Sequence, residues 1–139
     1  MRARKVSGLD PGAALRPNAA LIVRTRLEEL RSHAETALEP SASTAQHDTR
    51  IAAKRLRYVL EITEPCFGSE AAVACRTARD LQGVLGDLHD CDVLLPRVDG
   101  VESLETLLRA RRELLFQRFR EVWRTASENG TWTALERSL

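Results

Sequence analysis

The segment HDTRIAAKRLRYVLE places His47, Arg50, Lys54 and Arg57 three, four and three residues apart. On an α-helix this spacing stacks the four side chains in one stripe, along roughly 15 Å of axis. Like charges in such a row repel by about 0.3 kcal/mol per pair. Only Glu61, one step further on, is placed to reach Arg57. A face built for solubility alternates its signs, whereas an unbalanced row suits a ligand that brings repeated negative charge. Phosphate chains do this, and guanidinium forks grip their oxygens by charge-assisted hydrogen bonds. Arg55 lies on the shoulder of the same helix, near Ile51 and Ile62. From there it can extend to the same ligand, or bond to Asp48 or a neighbouring helix. Tyr58 lies between stripe and shoulder, placed either to pack or to donate a hydrogen bond.

Other segments border the same groove. Arg79, Gln82, Gly86, His89 and Asp90 share one side of a third helical stretch. In a fourth stretch Arg111 and Arg118 stand beside an apolar row, a position that commits an arginine to an ion pair or a ligand. Arg109, Arg112, Arg120 and Arg124 point away from that row, as an ordinary solvated face does. The anion-binding candidates are therefore His47, Arg50, Lys54, Arg57, Arg79, Arg111 and Arg118.

DLHDCD gathers Asp87, His89, Asp90, Cys91 and Asp92, all competent metal ligands. Their spacing matches neither a zinc nor an EF-hand pattern, so no metal site is expected; the aspartates are assigned to capping the next helix and pairing with arginines. There is no serine–histidine signature, no Gly-rich phosphate loop and no array of glutamates for phosphate cleavage. A binding module without catalytic residues or cofactor is expected. A metal-dependent phosphohydrolase is the weaker reading.

The composition narrows the ligand. With 21 basic and 20 acidic groups the net charge is +1, so the protein does not coat nucleic acid by bulk charge. Aromatic residues are only 4 % and none interleaves with the basic row, which leaves base stacking poorly provided for. A polyanion without bases fits better than RNA, and an acidic protein or RNA is the alternative partner for the same face. All the basic residues except Lys5 and Lys54 are arginines. Cys66, Cys75 and Cys91 form no C-x-x-C pair, and three is an odd number, so a reducing cytoplasm is the expected compartment. The start, MRARKVSGLDPGAAL, has no apolar run of signal-peptide length, and AALIV is too short to cross a bilayer.

Four helices must position these residues. Ile22, Leu27, Leu30, Ala34 and Leu38 predict the first over residues 19–38, closed by Pro40. The second is predicted over 45–64, capped by Ser43 or Thr44 and stopped by Pro65, with Thr49, Ala52, Ala53, Leu56, Val59, Leu60 and Thr63 as its core face. The third, over 70–88, takes Ser69 as cap; its Gly83 and Gly86 cost roughly 1 kcal/mol each unless a neighbour must come close. DLHDCDVLLPRVDG reads as a turn. The fourth runs over 102–126 on Leu104, Leu108, Leu115, Phe119 and Val122, and TWTALERSL adds a last turn. No stretch shows strand alternation. The expected fold is all-α, an up-and-down four-helix bundle over 19–139 behind a flexible segment, 1–18.

HDTRIAAKRLRYVLE followed by LQGVLGDLHDCDVLL resembles the CHAD family, named for histidines in an α-helical domain. The resemblance covers about residues 19–126. It implies a helical domain that binds inorganic polyphosphate through a basic surface and associates with polyphosphate granules. The family's basic motif falls on His47, Arg50, Lys54, Arg55 and Arg57, which adds Arg55 to the candidates. Its second motif falls on Gln82, Leu85, Gly86, Asp87 and Asp90, in an architectural role. Complete members resemble two facing four-helix halves, and this chain has the length of one. A homodimer that turns both His47 helices toward a shared basic channel is the corresponding expectation.

Overall fold

A computed structural model describes all 139 residues. The chain forms five α-helices and no strand: α1 (Leu15–Ala37), α2 (Ser43–Thr63), α3 (Ser69–Leu94), α4 (Glu102–Glu128) and α5 (Thr131–Ser138). Short 3-10 turns, Glu64–Cys66 and Leu95–Val98, precede α3 and α4. Each long helix packs on the next in chain order, while α1 and α4 scarcely meet. On that side α5 lies against α3 and α4. Arg31 of α1 bonds Glu136 of α5, and Arg16 donates to the carbonyls of Cys66 and Ser138.

The core follows from the 3.6-residue period. Leu27 and Leu30 of α1, Leu56 and Leu60 of α2, and Leu81, Leu85 and Leu88 of α3 are sealed from solvent. Burying each stabilises the fold by about 2 kcal/mol before chain entropy is counted. Ala52, Ala53, Ala74 and Ala78 are also fully buried and let α2 and α3 approach closely. The buried hydroxyls of Thr49 and Thr63 donate to Ala45 and Val59 one turn back, which satisfies them inside the core.

Several boundaries differ from expectation. α1 begins at Leu15, because Pro17 lies in a first turn that needs no N–H from it. Residues 1–14 form no helix, yet the Arg4 amide donates to Glu29 and Arg26 donates back to the Arg4 carbonyl. Neither Ser43 nor Ser69 caps its helix; each is the first helical residue, behind Ala42 and Gly68. The expected turn DLHDCD is helical. α3 runs on to Leu94 because nothing after Gly86 breaks a helix before Pro96. Asp87, Asp90 and Asp92 therefore cap nothing. TWTALERSL is a separate helix, turned off α4 at Gly130 (φ 68°), and it buries Trp132 and Leu135. The α4 row is also shifted: Phe116, Phe119, Trp123 and Ala126 are buried, while Leu104 faces solvent.

Candidate functional site

α2 and α3 run antiparallel, and both carry polar residues spaced three, four and three on the same outer face: His47, Arg50, Lys54 and Arg57 on one, Arg79, Gln82, Gly86 and His89 on the other. The two sets meet as a ladder. At one end the imidazoles of His47 and His89 stack, centroids 4.5 Å apart and planes 28° from parallel. At the next rung Gly86 makes room for Arg50, since a Cβ there would stand 3.4 Å from the Arg50 Nε. The same register sets Gln82 opposite Lys54. At the far end Arg57 and Arg79 share Glu61, at 3.4 and 2.9 Å. Tyr58 stands beside the row, itself exposed, with the Lys54 ammonium 5.8 Å and the Arg57 guanidinium 4.4 Å from its ring centre.

Of the three permanent cations in the α2 row, two remain without a carboxylate. Neither Arg50 nor Lys54 makes a salt bridge. His47 Nδ1, Arg50 Nε and Gln82 Oε1 are buried with no hydrogen-bond partner, at a cost of about 1–3 kcal/mol each. Arg57 Nε is near Glu61 but out of line for a hydrogen bond. His47 is held below the ordinary histidine range, first by burial and then by His89 and Arg50, with Asp48 opposing. In the middle of the ladder, Arg50 and Lys54 have no carboxylate within the chain, whereas Arg57 and Arg79 at its far end are paired with Glu61.

Arg55 points elsewhere. It spans to α1, bonding the buried Glu29 at 2.8 Å and the Met1 carbonyl at 2.8 Å. Burial pushes the Glu29 carboxyl up, but hydrogen bonds from Arg26 and the Arg4 amide, with the charges of Arg26 and Arg55, outweigh it and hold the group below its usual range. Arg111 is exposed near the histidine end, beside the Cys91 thiol. Arg118 lies away from the ladder and pairs with Glu121 at 3.3 Å, on a groove that also includes Asp80. Arg112 departs from the expected solvated face: it bonds Asp92, the Pro40 carbonyl at 3.0 Å and Gln46 at 2.9 Å. That cluster closes the ladder beyond His47. Sequence reasoning left His89 and Gln82 out of the ligand set, although their spacing repeats that of α2.

Other chemistry finds little footing. No three His, Cys, Asp or Glu side chains converge on a point where a metal ion could sit. The thiols of Cys75 and Cys91 are pushed up by burial, which makes them poor nucleophiles. The largest cavity, about 470 Å³, lies between α1 and α4 and is lined by Glu35, Arg120 and Trp123 rather than by the ladder. No helix is long and apolar enough to cross a membrane. A family model described as CHAD domain matches residues 3–99. No curated protein and no solved structure matches the chain.

Proposed function

The chain belongs to the CHAD family, and from that premise we propose that its α2–α3 ladder binds inorganic polyphosphate without cleaving it. The observation that carries the reading is the pair of uncompensated cations, Arg50 and Lys54, flanked by His47 and Arg57 on one half-buried row. A linear polyanion laid along the row supplies the absent charge and releases its own counterions, so affinity falls as salt rises. Tyr58 is the one phenylalanine, tyrosine or tryptophan beside the row, and Lys54 and Arg57 lie near its ring. This favours a chain of phosphates over stacked bases. The proposed setting is the cytoplasm, at polyphosphate granules.

Titration with long-chain polyphosphate in moderate salt tests the assignment. R50A/K54A/R57A is expected to abolish binding while thermal stability holds. Undiminished binding by that variant overturns it. Each cation removed singly should reduce the slope of log K against log salt by about one.

A second copy of the chain is the proposed protein partner. The N-terminal half of α4 buries no residue and presents Leu104, Leu107 and Leu114 on one exposed row at helical spacing. Leu107 is 63 % and Leu114 73 % exposed, a cost in water that a self-complementary helix pair removes.

A further inference from the structure

The cationic row has two unlike ends. One finishes at Glu61, shared by Arg57 and Arg79. The other finishes at the stacked histidines, beyond which Arg112, Asp92 and Gln46 are already bound to one another. A polyanion passing Lys54 and Arg50 meets His47 and His89 and then the Asp92 carboxylate, already paired with Arg112, so nothing draws it further. The rung nevertheless carries a hydrogen-bonding atom with no partner in the chain, the buried Nδ1 of His47.

Resting on the polyphosphate reading, we propose that the His47–His89 rung seats the terminal phosphate group of a linear polyphosphate, and that seating it draws a proton from solvent onto the histidine pair. An inner phosphate carries a single, strongly acidic oxygen that is ionised throughout the neutral range. A terminal phosphate resembles a phosphomonoester, whose second ionisation lies near pH 6. It alone reaches a double charge, and it alone exchanges a proton near neutrality. Imidazole is the side chain whose titration overlaps that range.

The surroundings agree. His47 does not readily charge in the free protein: burial first, then the stacked His89 ring, Arg50 from α2 and the N-terminal amine oppose the proton on it. Asp48 is the one nearby group that favours it. From α4, Arg111 stands beside Cys91, about 200° round α3 from His89, and Arg112 is paired with Asp92. A doubly charged end group reverses this balance. The protonated pair then donates to it while Arg50 holds the next phosphate.

Calorimetric titration of the whole protein with short linear polyphosphate tests the idea, comparing chains with free ends and chains whose ends are blocked as phosphoramidates. Buffers of different protonation enthalpy count the protons taken up. Free-ended chains are expected to bind roughly tenfold tighter at pH 7, with net proton uptake absent for blocked chains. In H47Q/H89Q both the preference and the uptake should collapse. An equal free-to-blocked ratio in the two proteins overturns the proposal, because the preference then reports only the charge of the ends. So does binding of free-ended chains without proton uptake. If neither form binds the wild-type protein, the polyphosphate reading itself fails.

Discussion

Arg50 and Arg55 stand five residues apart on one helix and carry the same group, yet they serve opposite ends. Arg50 rests in the space left by Gly86 with no acid partner, whereas Arg55 is clamped on Glu29, whose side chain is 1 % exposed. Arg50→Ala is expected to weaken polyphosphate binding with little change in denaturant midpoint. Glu29→Gln should instead destabilise by about 2 kcal/mol in urea unfolding, the usual buried-pair penalty lowered because Arg55 is partly exposed. The stability that Glu29 contributes is complete above the ordinary carboxylate range and is lost as pH falls through its depressed folded value. His47 acts at higher pH. Its folded form prefers the neutral ring, so below about pH 6.5 the unfolded chain takes the proton more readily and stability declines. His47→Gln should flatten that part of the stability–pH curve. The stripe itself was legible in the sequence, because a three-four-three spacing is a statement about direction. The fate of Arg55 was not, since Glu29 lies on another helix and no local pattern joins them.

The helices show where local signals suffice and where they mislead. α2 buries the predicted Thr49, Ala52, Ala53, Leu56, Leu60 and Thr63, because period and proline stops agree there. The third helix was cut short for a chemical reason: an acidic run looks like a turn, but only the proline after it breaks the backbone. His89, which the spacing already sets on the groove side, reaches His47 because the helix continues through it. On α4 the expected Phe119 is buried, while Phe116 and Trp123, each one position beyond an expected Leu115 or Val122, complete the core and Leu104 faces solvent. α5 reads in the sequence as only a last turn of α4, because eight residues barely show a period. The two helical glycines of α3 give a paired test. Gly83 has nothing within 4 Å of a built Cβ, so Gly83→Ala should raise stability by about 1 kcal/mol, read as a higher melting temperature. Gly86 already brings a Cβ to 3.4 Å from Arg50, and Gly86→Leu should displace that arginine and weaken polyphosphate binding severalfold.

At the scale of the molecule, α1 to α4 follow one another as packed neighbours, and α5 braces the side where α1 and α4 stand apart. The class and the antiparallel order could be read from short connections and apolar stripes. The fifth helix and the overhang of α4 depend on which surfaces find partners, which a linear pattern does not encode. If the overhang joins two copies, light scattering should give twice the monomer mass, and L107E/L114E should restore the monomer without unfolding it. A monomeric wild-type protein would remove the dimer and leave the ladder untouched.

The chain's only two tryptophans, Trp123 and Trp132, lie against each other with ring centres 5.8 Å apart, and its one tyrosine lies in the ladder. The molecule thus carries two separate optical channels. Indole emission follows whether α5 stays docked on α4, and ultraviolet difference absorption of the Tyr58 phenol follows whether the basic row is occupied. A single cuvette can therefore separate a substitution that empties the row from one that loosens the frame.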